Sequence, residues 1–162
     1  MITLRGVLYF HTMAGKHLSL LVHFIWSTAA REPWIGLDWQ DDLFGIVGGI
    51  MRKKNARLIS AGGMFDHVHL YASLPSTTSI ADFVNAVKSN SSRWVHKSFA
   101  TGKAFAWQEG YGAFSVSKSE EQRVIRYIRN QRQHHSKRTF KEEYLEFLIQ
   151  NDVDYDEKYL WD

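Results

Sequence analysis

The run Asp66-His67-Val68-His69-Leu70 sets two histidines one residue apart. Extended backbone turns successive side chains to opposite faces, so a strand here sends both imidazoles out of one face and Val68 and Leu70 out of the other. Neutral imidazole is the commonest protein ligand for divalent metals, and two on one strand face make a two-ligand platform. Taken alone, the pair describes a solvated strand face just as well. A second group changes that reading. On a wheel of about 100° per residue, the segment 119–134 puts Val124, Ile125 and Ile128 on a core-facing arc, with Tyr127 and Gln131 together on one border. Those two lie at i and i+4 and can act jointly. A tyrosine hydroxyl attacks phosphorus when its proton is removed and the phosphate is neutralised. A cation held by His67, His69 and an oxygen such as that of Gln131 does the second of these.

The elements that must position these groups can be read from the spacing of apolar residues. Leu18–Trp26 is rich in aliphatic and aromatic residues and predicts a buried central strand. From Asp38, the expected N-cap, Trp39, Leu43, Ile46, Val47 and Ile50 recur at helical intervals up to Arg52-Lys53-Lys54. Arg57–Met64 predicts a second strand, with Gly62-Gly63 marking a bulge or a close backbone approach, and His67–Leu74 a third. Ser79 and Asp82 form a capping-box-like start for a long helix with Ile80, Phe83, Val84, Val87, Trp94 and Val95 along its apolar stripe. A glycine-containing loop and a fourth strand follow over Trp107–Ser117. Ser119 to Gln122 reads as a capping box opening the Tyr127 helix, which is expected to run to about His134. Thr139 to Glu142 opens another, and the aromatic tail 154–161 is expected to pack back on the domain. The order β-α-β-β-α-β followed by helices predicts an α+β fold: a ferredoxin-like (split βαβ, RRM-like) antiparallel sheet with helices on one face plus C-terminal helices, and the histidine strand in mid-sheet.

Length and composition agree with one globular domain, expected over residues 13–162, with residues 1–12 as an extension before Met13. The absence of cysteine removes disulfides and thiolate metal sites. No apolar run reaches the roughly 18 residues needed to span a bilayer, so a bacterial, cytoplasmic, DNA-associated protein is expected, with no membrane partner. Charge is uneven: residues 1–138 hold 18 Lys and Arg against 9 Asp and Glu, and residues 139–162 hold 2 against 8. A basic surplus around the candidate site suits a polyanionic partner.

His67-Val68-His69 matches the histidine–hydrophobic–histidine signature of the HUH endonuclease superfamily. The wider run 62–71, the segment 107–117, then Val124-Ile-Arg-Tyr-Ile-Arg-Asn-Gln131 and His134-His135, taken in that order, resemble the single-tyrosine HUH transposases. These comprise small insertion-sequence transposases and REP-associated tyrosine transposases, and the resemblance runs from about Met13 to Trp161. The C-terminal part is more similar to the REP-associated or domesticated branch. The resemblance implies cleavage and rejoining of single-stranded DNA at hairpins through a 5′-phosphotyrosine link, with Mg2+ or Mn2+ as cofactor. It maps the nucleophile to Tyr127 and the metal ligands to His67, His69 and Gln131. It also implies a homodimer in which some members complete the site with the partner's tyrosine helix.

For DNA contacts, Arg52, Lys53, Lys54, Lys88, Arg93, Lys97, Lys118, Arg123 and Arg126 are the cations expected to meet backbone phosphates. Trp107 or Tyr111 are the aromatics that could stack on unpaired bases. His23 and His96 read as structural, and His134 and His135 as polar residues at a helix end. The alternative function is a domesticated protein that binds hairpin DNA without turnover. A third reading is a metal phosphodiesterase that uses water.

Overall fold

The computed structural model describes residues 17–99, 102, 104–135 and 138–161; the expected extension over residues 1–12 lies outside the described residues. Four strands, β1 (Leu21–Ser27), β2 (Arg57–Gly63), β3 (His67–Ser73) and β4 (Gly112–Ser115), form one sheet in the order β2-β3-β1-β4. Every neighbouring pair is antiparallel, and β3 lies between β2 and β1. This is the split βαβ arrangement predicted from the sequence.

Alternation along the two central strands divides the molecule into two layers. Phe24, Trp26, Val68, Leu70 and Ala72 point to one face. There α1 (Gln40–Lys53) and α2 (Ile80–Ser98) cover them with Leu43, Val47, Met51, Phe83, Val84 and Val87. The register opposes Ile25 to His69, Ser27 to His67 and His23 to Tyr71, so these residues share the other face. That face is covered by α3 (Glu121–Arg129) and α5 (Phe140–Gln150), with the short α4 (Gln131–His135) between them. Ile128 of α3 packs on Leu21 and Tyr71, while Phe140, Tyr144 and Leu148 of α5 pack on Ile25 and Phe114. The C-terminal helices thus form the roof of the histidine face.

Local signals fare unevenly. Ser79 caps α2 by accepting from the Asp82 N–H, and Thr139 with Glu142 forms a complete capping box on α5. Asp38 does not cap α1: residues 36–39 form a turn, and Trp39 occupies the cap position with its ring packed at a tilt against Trp94 and Phe99. Ser119 does not cap α3 either, because Lys118–Glu120 is a 3-10 turn in which the Ser119 hydroxyl bonds Ser117. The tyrosine helix also stops earlier than expected. Asn130 leaves helical geometry, its N–H shared between the Arg126 and Tyr127 carbonyls, and Gln131 begins a new helix. The bulge in β2 lies between Leu58 and Ser60 rather than at the glycine pair. Gly62 serves the other expected purpose: a Cβ there would lie 2.2 Å from the Ile128 carbonyl oxygen, so its bareness lets α3 seat on β2. Leu160 and Trp161 pack against the α5 cluster, but Tyr155 and Tyr159 are exposed, so only the end of the tail docks. Among the described residues, no helix is long and apolar enough to cross a membrane.

Candidate active site

The two strand histidines are almost fully enclosed, His67 at 1% and His69 at 0% exposure, which removes the solvated-face reading. Each imidazole is held at Nδ1. His67 Nδ1 bonds Asp66 Oδ1 at 2.7 Å, and His69 Nδ1 bonds His23 Nε2 at 3.0 Å. A third ring joins them from α4, where His135 Nδ1 lies 3.0 Å from the Arg138 carbonyl oxygen. A carbonyl oxygen and a carboxylate only accept, so these contacts suit the tautomer with the proton on Nδ1 in His67 and His135, in which Nε2 of a neutral ring is a bare lone pair. With its Nδ1 donating to His23, His69 follows the same pattern, and its buried Nε2 makes no hydrogen bond.

The three Nε2 atoms converge on one carboxylate oxygen. Glu143, on the inner face of α5 and 4% exposed, sets Oε2 3.0 Å from His135 Nε2, 3.3 Å from His69 Nε2 and 3.9 Å from His67 Nε2. Gln131 Oε1 lies 3.4 Å from His67 Nε2 and 3.0 Å from His135 Nε2. Lone-pair nitrogens facing oxygen acceptors repel unless a proton or a cation stands between them. Burial opposes the proton: it holds His69 and His23 well below the usual histidine range and lowers His135 as well, with neighbouring imidazoles adding to the effect. On Glu143 burial works the other way and pushes the carboxyl up to about 7, against the attraction of His67, so that without a cation the carboxyl itself holds a proton more readily. Asp66 moves the other way: burial would raise it, but the bond and charge of His67 hold it below its ordinary value. The donor set His67, His69, His135 and Glu143, with ligand atoms all within 4.8 Å of one another, therefore fits a divalent cation. Three imidazoles oriented through Nδ1 are the arrangement by which proteins fix metal-binding rings.

Tyr127 reaches the same place from α3. Its hydroxyl donates a short hydrogen bond to Glu143 Oε1, the oxygen that also accepts from Gln131 Nε2 at 3.1 Å. Its ring meets His69 edge-on at 5.9 Å and His134 at 4.8 Å. All of these groups belong to one chain. A cavity of about 620 Å³ opens beside the hydroxyl, lined among others by His23, Arg123, His134, Phe147 and Gln150.

The expected residues His67, His69, Tyr127 and Gln131 thus meet at one point, although α3 breaks between the last two. The sequence reading missed three participants. His135 is not a mere helix-end polar residue, His23 is the orienting partner of His69, and Glu143 sits at the centre of the cluster. Of the expected DNA contacts, Arg123 and Arg126 are exposed on α3, whereas Arg52, Lys53, Lys54 and Arg93 belong to the helices of the opposite layer. Lys97 sits at the end of α2 in that layer, and Lys118 pairs with Glu121 at 2.6 Å. Lys88 donates all its protons inward, to the carbonyls of Gln108, Glu109 and Gly110, and tethers that loop. Trp107 is core: it is 9% exposed and its Nε1 donates to Ser91. Tyr111 is half-buried beneath the Lys88 ammonium.

Residues 16–131 match the model of the family described as Transposase IS200 like. The ISDra2 transposase TnpA of Deinococcus radiodurans is 28% identical over 122 residues, covering 72% of this chain and 87% of that protein. The transposase for insertion sequence element IS200 of Salmonella typhimurium is 30% identical over 94 residues, 52% of this chain and 61% of that protein's length. Among solved structures, a putative transposase from D. radiodurans superposes with a TM-score of 0.57 at 27% identity, covering 75% of this chain and 98% of its own. A REP-associated tyrosine transposase bound to a REP hairpin has the same TM-score at 12% identity, with coverage of 78% and 74%, a likeness of fold alone.

Proposed function

Because this chain belongs to the IS200-like transposase family, we propose that it nicks and rejoins single-stranded DNA at hairpin-containing sites, with Tyr127 as nucleophile and a divalent ion, Mg2+ or Mn2+, held in the cluster built on His67 and His69, beside Gln131. The observation that carries this reading is the meeting of a tyrosine hydroxyl with a buried set of metal-ligating side chains inside one chain. Bound there, the ion would supply Lewis-acid polarisation of the scissile phosphate.

The chain's own residues do the rest. The Tyr127 oxygen forms a bond to phosphorus while the bond from phosphorus to the 3′ oxygen breaks, leaving a 5′-phosphotyrosine and a 3′ hydroxyl. The tyrosine proton leaves along the hydrogen bond to Glu143 Oε1, and the departing 3′ oxygen takes up a proton. One phosphoester replaces another, so a second 3′ hydroxyl can reverse the step with no external energy source. Arg123, at the cavity wall, and Arg126 on the same helix neutralise phosphates of the strand being cut. Arg52, Lys53, Lys54 and Arg93, on the other layer, serve DNA beyond that strand. The solved REP-associated neighbour is bound to a hairpin, which supports a hairpin substrate for this chain. In a homodimer, the second subunit would hold a second DNA end.

A fluorescent single-stranded hairpin incubated with Mn2+ and resolved on a denaturing gel tests the proposal. Wild type is expected to form a covalent protein–DNA adduct, Tyr127→Phe none, and His67→Ala at most a trace. Binding without adduct on every cognate hairpin would make the protein a hairpin-binding module. Cleavage that persists in Tyr127→Phe would make water the nucleophile.

A further inference from the structure

Glu143 follows the stretch that matches the family, which ends at residue 131, and its carboxylate is divided between two tasks. Oε1 receives two donors, the Tyr127 hydroxyl and Gln131 Nε2. Oε2 faces the Nε2 atoms of His67, His69 and His135, of which the first and last are bare lone pairs in neutral rings that carry their proton on Nδ1. Among the described residues, the ionic partners of Glu143 are these histidines; no lysine or arginine pairs with it. A carboxylate enclosed to this degree is costly without a compensating positive charge.

The spacing says what that charge is. Ligands held at about 2.1 Å from one ion stand about 3.0 Å apart in neighbouring octahedral positions and about 3.4 Å apart in a tetrahedron. The separations of Oε2 from the His135 and His69 nitrogens, 3.0 and 3.3 Å, fall on those edges, and that from His67 is 3.9 Å. Each nitrogen is aimed by a partner on Nδ1: Asp66, His23 or the Arg138 carbonyl.

We propose that Glu143 binds the divalent ion through Oε2 beside His67, His69 and His135, and through Oε1 holds the Tyr127 hydroxyl, so that one carboxylate ties nucleophile to metal within a single chain. The proposal rests on the reading above that this cluster holds a metal. It makes the site three imidazoles and a carboxylate, not two imidazoles and an amide, and a site of that composition binds its ion before DNA arrives. Glu143 is a ligand on one side and a positioning residue on the other.

Co2+ titration of the purified full chain without DNA, followed by calorimetry and visible absorption, tests the ligand half. Wild type is expected to take up one Co2+ with a nitrogen–oxygen ligand-field band. Glu143→Gln, folded by circular dichroism, is expected to lose at least about tenfold in affinity and to shift that band. Zn2+, which is optically silent, tests the other half: it should perturb the near-ultraviolet tyrosine spectrum of wild type and not that of Tyr127→Phe. Wild-type affinity and spectrum in Glu143→Gln, with binding lost in His67→Ala, overturns this proposal and leaves the metal reading standing. No uptake by wild type, or full uptake by His67→Ala, removes the metal reading and this proposal with it. Should Glu143→Gln not fold, an unchanged tyrosine spectrum of wild type on adding Zn2+ overturns the proposal by itself.

Discussion

Gly62→Ala gives the most direct test of how the fold positions the nucleophile. Gly62 pairs with His69 across β2 and β3, and the α3 backbone lies directly over it. An alanine Cβ would meet the Ile128 carbonyl oxygen at 2.2 Å and its carbonyl carbon and Cγ2 at 3.1 Å. Ordinary contact needs about 3.4 Å or more, and the closest partner is a backbone oxygen, so α3 must lift by roughly 1 Å. Overpacking of this kind costs about 1–3 kcal/mol, which for a chain of this size is a fall of roughly 2–12 °C in Tm. Ile128 is the neighbour of Tyr127, so the same displacement pulls the hydroxyl away from Glu143. A misplacement of about 1 Å at a reacting group can cost about 100-fold in rate. We expect Gly62→Ala to fold, to melt lower, and to form the protein–DNA adduct about 100-fold more slowly. Gly45→Ala is the control: it lies in α1 with nothing within 4 Å of its added Cβ and should raise stability by about 0.5–1 kcal/mol. Wild-type melting and adduct rate in Gly62→Ala would refute the claim that close seating of α3 sets the tyrosine.

Two further outcomes follow from the cluster. Asp66→Asn keeps the shape of the His67 partner but removes its charge, and should lower Co2+ affinity about 10- to 100-fold with little change in Tm; unchanged affinity would deny Asp66 an orienting role. For pH, Glu143 titrates at about 7 in the metal-free fold against an ordinary value of 4.5. A raised carboxyl pKa stabilises the fold below the unfolded value, and that contribution is lost as pH rises through about 7. The full shift corresponds to about 3 kcal/mol. His23 and His69, whose values are lowered, act with opposite sign in the same window, so the measurement is the difference between proteins. Relative to wild type, metal-free Glu143→Gln should gain stability steadily between pH 4.5 and 7.5, and parallel stability curves would contradict the shift.

The sheet and its central histidine strand were legible because they rest on period-two alternation, which the packing of both faces enforces. The cap of α2 and the capping box of α5 were legible for a similar reason, since a side chain bonding three residues away is a local event. What failed was also local in appearance but was decided from afar. Trp39 takes the cap position of α1 because its ring packs near Trp94 and Phe99 on α2, and Asp38 is left in the turn before it. The helix of Tyr127 breaks at Asn130, and this break turns Gln131 and His135 back toward β3. A wheel drawn through 119–134 contains no signal for it.

The site divided along the same line. His67 and His69 declare themselves by a spacing of two on one strand, and Tyr127 by its place at the edge of an apolar stripe. Glu143 has no such spacing with any of them: it is one of the 8 acidic residues in a 24-residue segment, 139–162, that reads as a solvated acidic end. Its partners lie 74 and 76 residues away on β3 and 16 residues away on α3. Within α5 it occupies the inner face beside Phe140 and Tyr144, both of which bury apolar surface against the sheet. That position was a clue, since a carboxylate is rarely enclosed unless something positive meets it. The acidic end that makes the chain's charge asymmetric therefore delivers one of its carboxylates to the basic half's histidines. The same packing of Phe140, Tyr144 and Leu148 that roofs the sheet sets the distance at which that carboxylate stands from the three rings.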